Sequence, residues 1–230
     1  MKRILTLISA FLVLLTTGCA VNSIGLQKIV QSKISETKKD NASNLNIEIQ
    51  INKNIELRNE CKQEKSSYIP ALLYWGWNSE VKGEFSKETI TNEIEKVAKS
   101  KIEALGLNKA LKNNKLVINI DELPTKFKFQ EKGDVAILIF AYIVSMKKYI
   151  APEKMNFKGN YKVINEEGKV VLEKDFMQEN KLATESNPNK TAKKLASKFI
   201  GSYNNELDRF ISILLAEVKA HLETTTITQQ

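Results

Sequence analysis

The sequence predicts an α+β fold, a mostly antiparallel sheet with two main helices packed on one face. Three observations predict it. Period-two alternation recurs in short runs, as in Leu45, Ile47, Ile49 and Ile51 against Asn46, Glu48, Gln50 and Asn52. Two longer stretches, starting near Ser86 and Asn187, carry apolar residues at helical spacing instead. The order is strand, helix, several strands, helix, which suits helices segregated to one face of a meander rather than parallel crossovers.

Each element has its own warrant. Residues 20–44 read as a tether. Ile24, Ile29, Val30 and Ile34 are spaced for a short amphipathic helix near a membrane, and a disordered spacer is the other reading. The first strand starts at Leu45, and Ile55 and Leu57 continue it after a bend. Ser86 caps a helix over 87–105, with Ile90, Ile94, Val97, Ile102 and Leu105 on its dry face and Gly106 as its stop; Leu107 and Leu111 add a turn. Leu116, Ile118 and Ile120 alternate up to Pro124, and Phe127 and Phe129 alternate with Lys126 and Lys128. Val135 to Val144 is apolar on both faces, which predicts a central strand covered on both sides. Phe157, Tyr161 and Val163 lead through Asn165-Glu166-Glu167-Gly168, a tight hairpin turn, into Val170, Leu172 and Phe176.

The last helix opens at Pro188 with Asn187 as cap, and its apolar stripe runs from Leu195 to Leu222. Unbroken it would span roughly 50 Å, so a kink is expected at the poor helix formers Gly201 and Asn204-Asn205. The tail 223–230 is expected to fray, leaving one domain over 45–222.

The first 19 residues set the compartment. Lys2 and Arg3 precede an apolar run, Ile4 to Leu15, of signal-peptide length and too short to span a bilayer. Leu15-Thr16-Thr17-Gly18-Cys19 follows at once. This ending resembles the lipobox of bacterial lipoproteins, with Thr16 where that family usually has Leu. The resemblance implies a signal peptide over 1–18, acylation of Cys19, and a mature chain of about 210 residues held at a membrane by more than one acyl chain. Ala20 rather than Asp after the cysteine implies the outer membrane, periplasm-facing, in a Gram-negative cell. In a Gram-positive cell the anchor sits on the outer leaflet of the cytoplasmic membrane. The stretches Ile90 to Gly106, Leu116 to Leu123, Gly133 to Tyr142 and Tyr161 to Phe176 resemble, by apolar periodicity, small envelope lipoproteins of the YajG type and the lipoprotein subunit of the lipopolysaccharide translocon. Auxiliary lipoproteins of ABC-type lipid transporters are similar in architecture. The resemblance carries over no functional residue but Cys19, and offers no counterpart to Tyr68–Trp77.

Chemistry is sparse. The one histidine, His221, falls near the chain end, where it reads as a solvated helix-terminal residue. Cys61 and His221 alone cannot make a zinc site, and no phosphate loop, dinucleotide fingerprint or nucleophile elbow occurs. The expectation is a non-enzyme without metal or cofactor, apart from the covalent lipid. With Cys19 acylated, Cys61 has no partner within the chain, so it is either buried and inert or bonded to another chain.

Binding is the better supported class. Tyr68, Leu72, Tyr74, Trp75 and Trp77 crowd beside Pro70 and Gly76. They either seal one end of the core or form an exposed aromatic rim that grips a partner protein or a lipid chain. Lys126, Lys128, Lys158 and Lys162 share one sheet face if their strands are neighbours, with Lys147 and Lys148 nearby. That face either docks anionic lipid or is simply solvated. The formal charge of +8 falls to +6 without Lys2 and Arg3. It brings no nucleic-acid motif with it, so nucleic acid is not an expected partner. The functional expectation is a structural or accessory lipoprotein of an envelope assembly or transport complex, with an envelope protein as partner. The alternative is a periplasmic carrier that shelters a lipid or other hydrophobic ligand against Trp75 and Trp77.

Overall fold

The computed structural model describes residues 23–34, 46–52, 55, 60–85, 87–138, 141–153 and 155–227. The signal segment, Cys19, Leu45, Leu57 and the Ser86 cap lie outside them. Among the described residues are four helices, α1 (Ser23–Ile34), α2 (Lys87–Leu105), α3 (Leu107–Leu111) and α4 (Ala192–Ile227). Nine strands accompany them: β1 (Ile47–Ile51), β2 (Cys61–Ala71), β3 (Tyr74–Glu84), β4 (Lys115–Glu122), β5 (Lys126–Ile137), β6 (Tyr142–Pro152), β7 (Phe157–Ile164), β8 (Val170–Gln178) and β9 (Glu185–Ser186). The α+β class holds, with two sheets in place of one. Their orders are β1-β4-β7-β8 and β2-β3-β5-β6-β9, and every pairing is antiparallel except β1 with β4.

The long helix α4 organises both. Its N-terminal half meets the five-stranded sheet, where Phe199 packs on Phe127 and Tyr203 on Phe85, with ring centroids 5.7 and 4.5 Å apart. Its C-terminal half meets the four-stranded sheet, where Phe210 stacks on Phe157 at 4.3 Å and leans on Phe176. One helix therefore bridges two sheets. That resolves its length: α4 runs 36 residues without interruption through Gly201, Asn204 and Asn205, where a kink was expected. Burying Leu207, Phe210, Leu214 and Leu215 on one stripe, each worth about 1.5–3 kcal/mol, outweighs the ~1 kcal/mol a glycine costs.

Three further expectations change. Helix α4 starts at Ala192 rather than Pro188, because Thr191 is the cap: its Oγ1 accepts the Lys194 N–H at 3.3 Å and its carbonyl accepts that of Leu195. Asn187 instead closes a turn, accepting the Asn189 N–H on its side chain. The helix continues to Ile227, past the point where fraying was expected. Within the stretch read as a tether, α1 packs on α4, with Leu26 and Val30 in the core and Ile24 exposed. The 165–168 hairpin is as expected. Gly168 takes φ 79° and Asn165 Oδ1 accepts the Lys169 N–H.

Candidate docking surface

In a sheet, directly opposed residues share a face, so the register of β2-β3-β5-β6 maps the surface row by row. On the helix-facing side the innermost rows are core: Gly83 and Phe127, then Val81, Phe129 and Ile150. The next row is polar and buried. Ser79, Glu131 and Lys148 lie there, and Lys148 Nζ holds Glu131 Oε1 at 3.0 Å while Glu131 Oε2 has no partner.

Beyond that belt the same face turns apolar again. Tyr68, Trp77, Gly133 and Met146 form one row, and Pro70, Trp75, Val135 and Val144 the next. A Cβ on Gly133 would stand 2.3 Å from the Trp77 ring, so the absent side chain is what lets the indole lie flat across β5. On the opposite face Tyr74 folds over Gly76 in the same way. The β2–β3 turn carries Leu72 and Leu73, and the β5–β6 connection starts at Leu138.

These residues are open to solvent: Leu72 is 91% exposed, Tyr142 74% and Ile143 56%, against 0% for Val81 and Phe129. The sheet thus projects an apolar end past its own core, built from two adjacent hairpins. Single exposed apolar residues are commonplace, but here they form a contiguous set, which makes this end a candidate docking surface.

The aromatic cluster is exposed at this end rather than sealed into the core. Tyr68, Leu72 and Tyr74 are exposed and Trp75 and Trp77 half-buried on an open sheet face. The central strand expected over Val135–Val144 does not exist. Its two ends belong to β5 and β6, and Ile137, Leu138, Tyr142, Ile143 and Val144 are exposed at the second hairpin. These are the surface residues the sequence reading missed. An unpunctuated apolar run is what a buried strand shows too, so only its length, longer than a typical strand, pointed elsewhere.

The common lysine face is not formed. Lys126 and Lys128 lie on β5 and Lys158 and Lys162 on β7, in different sheets. Lys128 pairs with Glu80 at 2.8 Å and Lys162 with Glu173 at 2.8 Å, so two of the four charges are already answered. Lys126 and Lys158 are exposed.

His221 is not at a frayed terminus. Its Nδ1 lies 2.5 Å from the Tyr161 hydroxyl and its Nε2 2.7 Å from Lys174 Nζ. These two contacts tie the end of α4 to β7 and β8. Burial first, and then the charge of Glu217, pushes the Tyr161 phenol up to about 12, which keeps it a neutral hydroxyl. Cys61 packs half-buried against the core, and burial pushes its thiol up to about 11. No cluster of three potential metal ligands occurs among the described residues.

The chain has no significant match to a family model, a curated protein or a solved structure.

Proposed function

We propose that the chain is a lipid-anchored, non-catalytic envelope lipoprotein, a structural or accessory component of an outer-membrane or periplasmic assembly or transport complex, that works by docking through the apolar end of its five-stranded sheet. The exposure of that end carries the reading. A domain able to bury Phe127, Phe129 and Val81 completely leaves Leu72, Leu73, Tyr142 and Ile143 in water on the same sheet, at a cost of about 25 cal/mol per Å² of apolar surface left uncovered. A surface of this kind is stabilised when something covers it. Anchorage rests on the lipobox-like ending at Cys19; no described helix is long and apolar enough to cross a membrane.

The carrier alternative draws less support, because Trp75 and Trp77 sit on an open sheet face rather than around an enclosed ligand. Native gels in mild detergent test the docking reading. Wild type is expected to migrate in an assembly larger than the detergent-bound monomer. A folded Leu72→Asp/Tyr142→Asp variant, still anchored, is expected to fall to monomer size. If both migrate alone, the docking role is wrong.

A further inference from the structure

We infer that the apolar end of the five-stranded sheet, from Leu72 and Leu73 to the Ile137–Tyr142 row, enters the interface of a lipid bilayer bearing anionic head groups. This deepens the docking reading by naming what the apolar end touches. Three observations select a bilayer over a protein groove.

The first is that both faces of the tip are apolar. Ile137 and Tyr142 lie on the helix-facing side, Tyr74, Ala136 and Ile143 on the other. A protein partner covers one face of a projecting sheet, whereas a fluid medium surrounds it.

The second is the order of side chains along the strands. At the β2–β3 hairpin the aliphatic Leu72 and Leu73 occupy the turn, with Tyr74, Trp75, Trp77 and Tyr68 behind them. Behind these, on the face away from the helices, Lys132 and Lys147 stand directly opposite each other. Hydrocarbon, aromatic interface and phosphate follow one another in a leaflet in the same order. The lysine row lies five residues from the Ile137–Tyr142 row, about 17 Å along the strand. With the tips buried about 5–10 Å, the lysine side chains reach phosphate depth.

The third is the lysine pair itself. Like charges directly opposed on a ladder destabilise it. Lys132 and Lys147 are exposed, and neither has an ion-pair partner among the described residues. Asp134, one row nearer the tip, is the sole carboxylate between that row and the turns, and on β2 the exposed Lys65 lies one row further back, opposite Glu80. An anionic surface supplies the missing counter-charge.

Depth is limited by the strand edges. Open edges do not enter hydrocarbon, and at this end β2 is an edge and β6 pairs β9 only at Tyr149 and Ile150. Pro70 removes one donor from the β2 edge. The contact is therefore shallow.

Trp75 and Trp77 are the two tryptophans of the chain, which makes the native lipidated protein its own probe. It is reconstituted in vesicles of phosphatidylcholine alone or with phosphatidylglycerol, with bromines placed at shallow depth on the acyl chains. The expected result is blue-shifted emission, quenched by bromine, in the anionic vesicles and much less in the neutral ones. Lys132→Gln and Lys147→Gln are each expected to shift the inserted fraction about fivefold, and Leu72→Asp/Tyr142→Asp to abolish quenching with the protein still anchored. Unquenched tryptophans in both vesicle types overturn the inference. Equal quenching in both overturns the role of the anionic head group. Should quenching be absent while the chain still migrates in a larger assembly that depends on Leu72 and Tyr142, the docking reading survives and the bilayer contact alone falls.

Discussion

Gly201 sits in the middle of α4 with nothing within 4 Å of where a Cβ would stand, and its φ is not positive. Gly201→Ala is therefore expected to stabilise the protein by about 1 kcal/mol, read as a rise in Tm of about 2–4 °C. Gly159 and Gly133 behave oppositely. A Cβ on Gly159 would meet the backbone oxygen of Asn119 at 2.0 Å, so Gly159→Ala must push β7 away from β4. At Gly133 the neighbour is the half-exposed Trp77 ring, which can swing aside. Urea titrations should show Gly159→Ala losing much more stability than Gly133→Ala; equal losses would mean the sheet is more pliable than its register implies. Lys148 makes a sharper case. Lys148→Met leaves Glu131 charged and unpaired in a buried row, a loss of about 3–5 kcal/mol, whereas replacing both partners with apolar residues recovers most of it. None of these roles was legible in the sequence. His221 and Cys61 show why: what a single side chain does depends on neighbours brought in from far along the chain, Tyr161 and Lys174 in one case and the core wall in the other.

At the scale of elements, Glu206 holds the segment between β8 and α4. Its carboxylate takes a two-point contact from Arg209, at 2.9 and 2.6 Å, and accepts the Lys181 N–H at 2.8 Å, while Arg209 reaches the Glu179 carbonyl. Burial pushes the Glu206 carboxyl up, but the Arg209 guanidinium and the Lys181 N–H outweigh it and leave it below its ordinary value. A lowered carboxylate adds stability above its unfolded pKa and loses it as pH falls through the folded one. Glu206→Gln is thus expected to lower Tm at neutral pH, with the gap to wild type closing as pH drops below the ordinary carboxylate range. A gap independent of pH would assign the loss to packing instead. Elements with strict periodicity, such as β4, β7 and α2, were legible because one face of each is buried and the pattern records it. The hairpin at 137–142 was not. Its turn lacks Gly, Pro, Asn and Asp, and its apolar run matches a buried strand residue for residue. The same exposure that makes it a candidate contact made it look like core.

At the scale of the whole molecule, one helix lies across two sheets, and the apolar end of the five-stranded sheet stays exposed. The α+β class followed from alternation and order alone. That the strands divide between two sheets did not, because alternation records which face is buried and not which strand lies beside which. The lysines of β5 and β7 illustrate it: identical patterns, different sheets. The candidate surface was half legible, with Tyr68 to Trp77 visible as composition and the second hairpin hidden. The account stands or falls on whether that end touches anything. Photo-crosslinkers placed in living cells at Tyr142 and at Trp75, with Lys158 on the other sheet as control, decide it. Adducts from Tyr142 and Trp75 but not from Lys158, lost on Leu72→Asp, are the expected result. Silence at both tip positions, or equal labelling from Lys158, would contradict the assignment of the apolar end as the working surface.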